Sequence, residues 1–364
     1  MNSIVTWATR FWPIVVPIVG VVLLVAVWTV SLGPVLVVIV AIVLAGTVLA
    51  AVQHAEVVAH KVGEPFGSLV LAVAVTVIEV ALIVTLMSSG KDSSTLARDT
   101  VFSAVMITMN GIVGLSLLIG APRRGTTHFN PEGTGAALAT VTALAALTMV
   151  LPTFTETPGP QFSTSQLVFA AVASVALYAM FVITQTVAHR GFFLPTKANG
   201  KPLDDDEHAA VPSTRTALTS LGLLIVALVA VVGLAKLESP SIESAVAAVG
   251  FPQSFVGVVI ALLVLLPEGI AAAKAASRNR MQTSMNLALG SAMASIGLTI
   301  PSIAIASIWL TGPLLLGLGA SQIVLLTLTV VVSALTVVPG RATRLQGGVH
   351  LVLFAAFLFL SIVP

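Results

Sequence analysis

Apolar runs of about 20 residues, each long enough for a membrane-spanning helix, follow one another along almost the whole chain. Eleven can be marked, at 12–31, 34–53, 66–88, 101–120, 134–152, 166–188, 216–236, 254–273, 284–309, 314–338 and 346–363. Short polar stretches separate them. The pattern predicts an all-α polytopic membrane protein with about eleven transmembrane helices. No small-residue cleavage site closes a short apolar core near the start, so the first run reads as a helix rather than a signal peptide.

One interruption differs from the rest. The longest hydrophilic stretch, HRGFFLPTKANGKPLDDDEHAAVPSTR, occupies 189–215. Its Asp204, Asp205, Asp206, Glu207 and His208 read as a solvated acidic linker in preference to a metal-sensing patch. Residues 1–33 hold a leading helix; five helices then precede the linker (34–188) and five follow it (216–364). The halves align weakly. Glu56 precedes Gly63 by seven residues, as Glu243 precedes Gly250; Gly67 precedes Glu79 by 12, and Gly257 precedes Glu268 by 11. Five is odd, so the second repeat would enter the membrane from the opposite side. Inverted repeats around a midplane site are the plan of many secondary transporters.

Charge supports that count and orients it. The chain is 57% hydrophobic and only 8% charged, against about 25% charged in soluble domains. With these spans, 13 of the 16 Lys and Arg fall on one side, and only Lys91, Arg98 and Lys236 on the other. The positive-inside rule then predicts a cytoplasmic N-terminus, an external C-terminus and a cytoplasmic linker, in the inner membrane. Trp28 and Trp309 would lie at outer helix ends. The basic balance reports topology here, and no nucleic-acid partner is implied. Cysteine is absent, which excludes disulfides, thiolate metal sites and cysteine nucleophiles.

Against this apolar background two carboxylates stand out: Glu79, in LVLAVAVTVIEVALIVTLM, and Glu268, in FVGVVIALLVLLPEGIAAA. Of the 14 acidic residues, these two alone fall inside the marked runs. A carboxylate at membrane depth costs at least a few kcal/mol and is a functional-site hypothesis by default. Glu79 lies roughly 18 Å along its helix, near the middle of a ~30 Å core. Pro267 would free the carbonyl of Leu263, and Pro301 that of Gly297. The next helix in each half adds oxygen. Ser103, Asn110 and Gly114 share one face of 101–120; Ser291, Ser295, Thr299 and Ser302 share a face of 284–309. Gly290, Ala294 and Gly297 beside them would admit another helix closely. Carboxylates, an amide, hydroxyls and carbonyls are hard ligands, suited to Ca²⁺, Na⁺ or a proton. Each feature also has a structural reading: a neutral glutamate as an interhelical strut, a serine stripe as packing glue, and Gln53, His54, Glu56 and His60 as a wet helix end.

GEPFGSLVLAVAVTVIEVAL, LPEGIAAAKAASRNRMQTSMNLALGSAMASIGLTIP and the acidic linker together resemble the bacterial ChaA-type calcium:proton antiporters of the calcium/cation antiporter superfamily. The likeness spans nearly the whole chain. It implies eleven helices, two inverted repeats and exchange of a cytoplasmic cation for external protons. It places the acidic site residues on Glu79 and Glu268, and the second repeat helices on Asn110 and on Gly290, Ser291 and Ser295. There is one departure. The related cation/proton exchangers commonly carry Gly-Asn three residues before each glutamate, where this chain has Val75-Thr76 and Val264-Leu265. Two amide ligands are lost, and Thr76 restores a hydroxyl. Ca²⁺ takes six to eight oxygens, so Na⁺ or K⁺ stays open as the exported ion.

The reading that results is a proton-driven cation antiporter exporting Ca²⁺, with Na⁺/H⁺ or K⁺/H⁺ exchange on the same fold as the alternative. Its ion site would draw on Glu79, Glu268, Asn110, Ser291, Ser295 and Thr76. Its partners are inorganic cations, protons and membrane lipid, and no cofactor is implied. An intramembrane enzyme would need a nucleophile and a base at membrane depth; there is no GxSxG, and no histidine falls inside a marked span away from its ends. A passive channel would more commonly build a carboxylate ring by oligomeric symmetry.

Overall fold

The computed structural model describes residues 2–30, 32–63, 66–89, 94–194, 212–310 and 312–364. Among them are eleven helices, counting a helix interrupted by a widened turn as one: α1 (Asn2–Val27), α2 (Pro34–Val62), α3 (Phe66–Ser89), α4 (Leu96–Gly120), α5 (Pro131–Phe154), α6 (Thr164–Ala188), α7 (Thr214–Ala248), α8 (Phe255–Ser277), α9 (Met281–Ala306), α10 (Ala320–Val337) and α11 (Arg344–Ile362). Nine of these are long and apolar enough to cross a membrane; α1 and α3 contribute the shorter apolar stretches Phe11–Val27 and Ala72–Ser88. The number and order agree with the hydropathy pattern. The acidic run Asp204–Glu207 lies outside the described residues.

Three boundaries differ from expectation. Helix α2 runs to Val62 and not to 53, so His54 lies inside it. Helix α7 runs to Ala248 and not to 236. At 1.5 Å per residue its 35 residues span about 52 Å, more than the ~30 Å apolar core. The charged stretch after Lys236 has the composition of a loop, yet its small and apolar residues sustain a helix through Pro240. Residues 313–319 form neither helix nor strand, where the apolar run predicts the start of the tenth helix. Pro313, Gly317 and Gly319 weaken helix there. The segment satisfies its backbone elsewhere: Leu315 N–H donates to Ser94, Gly317 to Pro160, and Leu318 to Met149.

The chain forms two compact units, residues 1–91 with 207–250 and residues 92–206 with 251–364. In the first, α2 packs on α1, α3 and α7. Pro17 in α1 leaves the Pro13 carbonyl without its helical donor, and His54 supplies one, its Nε2 lying 2.8 Å from that oxygen. A backbone carbonyl inside a membrane needs such a partner.

In the second unit α4 lies at the centre, against α8 and α11. Its approach to α8 is at backbone contact. A Cβ on Gly257 would sit 2.8 Å from Asp99 C and Thr100 N, so only glycine fits there. On the α11 side Gly114 and Gly347 face each other as closely. Buried Asp99 is paired with Arg98 at 2.7 Å, and Arg98 also donates to the carbonyl of Gly317, tying the irregular segment before α10 to the start of α4. A short antiparallel pair, Thr127–His128 with Arg341–Ala342, joins two of the interhelical loops.

Candidate functional site

Glu79 belongs to the first unit and stands thirteen residues after Phe66, the first residue of α3. It is 3% exposed. Val75, Thr76, Ile78, Leu82, Ile83 and Leu86 are buried with it, while Val73 and Val77 are exposed. The carboxylate is therefore on the inner face of an apolar helix, and Thr76 lies one turn before it on that face.

Glu268 belongs to the second unit and also stands thirteen residues after the first residue of its helix, Phe255 of α8. It shares a face with Ala261, Leu265 and Ala272 at three- and four-residue steps. Those residues are buried in one cluster with Ile107, Ile112 and Val113 of α4. Glu268 itself is half-buried. Helix α8 continues through Pro267 without a break.

The third helix of each half carries a local feature that hydropathy does not reveal, one that α5 (Ala146–Val150) and α6 (Thr184–Ala188) share. In α4 the turn Ile107–Ile112 is widened to i→i+5 bonding, and in α9 the turn Ser295–Thr299 is widened likewise. Asn110 lies fourteen residues after Leu96 at the start of α4, and Ser295 fourteen after Met281 at the start of α9. Such bulges recur at functional sites. In α9 the widened turn ends just before Pro301, which breaks the bonding ladder; α4 has no proline. Ser295 and Thr299 are buried, and Ser291 is half-buried.

The structure gives two of the predicted features other surroundings. The Asn110 side chain is fully buried and faces α10 and α11. Its amide nitrogen donates to Thr329 Oγ1 at 2.8 Å, and its Oδ1 lies 3.2 Å from His350 Nδ1. Gly114 on the same face meets α11. Of the expected close-approach residues, Gly297 does admit a neighbour, since its Cβ would fall 2.9 Å from Tyr178 on α6, whereas a Cβ on Gly290 would meet nothing within 4 Å. Ser302 bonds back to its own helix, donating to Leu298 at 2.8 Å.

Other polar groups escaped the sequence reading. His350 is completely buried; the expected start of the last helix, at 346, had put it near an end. Glu238 is 2% exposed, buried because α7 extends past 236. Thr329, Ser333 and Thr336 form a buried stripe on α10. The signal was present as 4- and 3-residue spacing within an otherwise apolar helix, but it had no partner in view.

The sodium/calcium exchanger protein family matches residues 32–187 and 219–363. A putative ionic transporter of Sinorhizobium fredii is 48% identical over 88% of this chain and 87% of its own length. The sodium-potassium/proton antiporter ChaA of Escherichia coli is 36% identical over 86% of this chain and 85% of its own. A Ca²⁺/H⁺ antiporter of Aphanothece halophytica is 24% identical over 85% of this chain and 86% of its own. In fold, the structure of native YfkE superposes with a TM-score of 0.72 at 17% identity, covering 97% of this chain and all of the other. The H⁺/Ca²⁺ exchanger CAX gives 0.70 at 16% identity, covering 96% and 88%.

Proposed function

The chain belongs to the sodium/calcium exchanger family, and on that premise we propose that it is a proton-driven antiporter exporting Ca²⁺ from the cytoplasm. The observation that carries the proposal is the matched placement of Glu79 and Glu268, each thirteen residues into the corresponding helix of its half. Their two negative charges suit a divalent cation. Protonation neutralises them and releases the ion, so cation and protons compete for the same carboxylates. Thr76, Ser291, Ser295 and backbone carbonyls are proposed to supply neutral oxygen. Asn110 is assigned to the wall of the second unit instead, because its amide is already engaged by Thr329 and His350.

A second reading exchanges Na⁺ or K⁺ for protons. Two observations favour it: the amides expected before each glutamate are replaced by Val75-Thr76 and Val264-Leu265, and the Escherichia coli relative is described as a sodium-potassium/proton antiporter. A monovalent ion needs fewer oxygens and less charge. Transport in everted vesicles, comparing Ca²⁺, Na⁺ and K⁺ under an imposed pH gradient, separates the readings. Uptake of Ca²⁺ that collapses with the gradient supports the first; Na⁺ or K⁺ alone supports the second; flux indifferent to the gradient contradicts both.

The proposed setting is the inner membrane, with two inverted five-helix repeats after the leading helix, the N-terminus in the cytoplasm and the C-terminus outside. The 13-to-3 loop charge bias supports this. A tag within 197–210 is expected to be reachable only from the cytoplasm, and a C-terminal tag only from outside. Both tags on one side would contradict the arrangement.

A further inference from the structure

Helices α4 and α11 meet backbone to backbone in the second unit. A Cβ on Gly114 would fall 3.0 Å from the carbonyl oxygen of Gly347, and one on Gly347 would fall 2.9 Å from Leu118 N. At the end of this seam Arg344 Nε donates to the carbonyl of Ala121 at 2.9 Å. Later residues of α4 thus meet earlier residues of α11, and the two helices are antiparallel. Each residue turns a helix by about 100°. Leu115 and Leu118 therefore lie to one side of Gly114, and Arg344, Gly348 and Leu351 to one side of Gly347. For two right-handed helices running in opposite directions, these are the same side of the seam.

That side is apolar and open. Leu115 is 42% and Leu118 39% exposed, and a Cβ on Gly348 would meet nothing within 4 Å. Only 17% of the apolar stretch of α11 is buried, the least of the nine described spans, so this face lies against acyl chains. The mouth of the seam is basic. Arg344 gives its Nε to Ala121 and keeps two terminal nitrogens as donors. Arg123 and Arg124 follow Ala121 at once, separated from it by Pro122, and both are exposed. The pairing of His128 with Arg341 brings a fourth arginine to the same loop. Among the described residues none of the four is in an ion pair. Glu132 is the one acidic residue in 121–132 and 338–344. Orientation in the membrane accounts for basic residues at this end, but not for an arginine set over an open apolar groove.

We propose that the α4–α11 seam binds one anionic phospholipid, its phosphate on Arg344, Arg123 and Arg124 and an acyl chain along Leu115, Leu118 and Gly348. Guanidinium groups match phosphate oxygens with paired N–H donors. The groove favours an amphiphile over a free anion, because only a lipid also covers the apolar wall. Clustered arginines favour an anionic headgroup over a zwitterionic one, whose own ammonium they repel. None of the proposed ion ligands lines the seam.

The test is native mass spectrometry of the full chain in detergent, titrated with phosphatidylglycerol or phosphatidylcholine. One phosphatidylglycerol is expected to be retained in preference to phosphatidylcholine. Removing arginines, as Arg344→Gln or as the pair Arg123→Gln and Arg124→Gln, should weaken that retention roughly fivefold per arginine. Gly348→Leu fills the groove, leaves every charge in place and should weaken it too. Arg344→Gln also loses the bond to Ala121, so if that variant folds poorly the exposed pair and Gly348→Leu decide. Equal retention of the two lipids overturns the proposal, as does retention unchanged in either the arginine pair or Gly348→Leu. Full displacement of the lipid by an equal concentration of glycerol phosphate also overturns it, since that would mark a plain anion site. The readout does not depend on transport, so it stands or falls apart from the exchange reading.

Discussion

Asn110 and Ser295 stand fourteen residues into corresponding helices, α4 and α9, and each lies in a turn widened to i→i+5 bonding. Their partners differ. Asn110 holds Thr329 and His350 across an interface of the second unit, while Ser295 is proposed as an ion ligand. Asn110→Ala should therefore lower stability by about 1–3 kcal/mol, the usual cost of leaving buried partners unsatisfied, with the apparent KM for the cation little changed. Ser295→Ala should do the reverse. Thermal unfolding and vesicle transport on the two variants check this. A raised KM with unaltered stability in Asn110→Ala would return that residue to the ion shell.

The hydrogen bond from His54 to the carbonyl of Pro13 compensates for the N–H that Pro17 lacks. His54→Leu should cost about 1–3 kcal/mol by stranding that carbonyl. Pro17→Ala restores the helical donor. The double variant should then lose less than the sum of the single losses, since residues sharing a partner are coupled. Strict additivity in thermal unfolding would show that the two groups do not share it.

Glycines that looked alike in the sequence should behave differently. A Cβ at Gly257 would lie 2.8 Å from the α4 backbone, whereas at Gly290 it would meet nothing within 4 Å. Gly257→Ala should push α8 from α4 at about 1–3 kcal/mol, the typical cost of overpacking, and Gly290→Ala should be close to neutral. Equal thermal stability of the two variants would contradict the close approach.

What could be read in advance follows from the physics of each feature. Helix number and order were legible because about 20 apolar residues in a row have one common use in a membrane. Glu79 and Glu268 were legible because a carboxylate is costly there. The extent of α7 was not, since its last turns carry Lys236, Glu238 and Glu243, which hydropathy scores as loop. The irregular segment at 313–319 was hidden by its leucines, for an apolar run does not declare its backbone. Asn110 was visible as a buried amide, but its direction depends on Thr329 and His350, both more than 200 residues away in the chain. Spacing within one helix cannot supply that contact.

The most direct test of exchange at the paired carboxylates is cation-dependent proton release in everted vesicles from Glu79→Gln and Glu268→Gln. Glutamine keeps the size of the side chain and removes its charge, and membrane insertion of each variant is checked alongside. Each substitution is expected to abolish exchange while the protein still inserts. Exchange at the wild-type level in either variant would contradict the account.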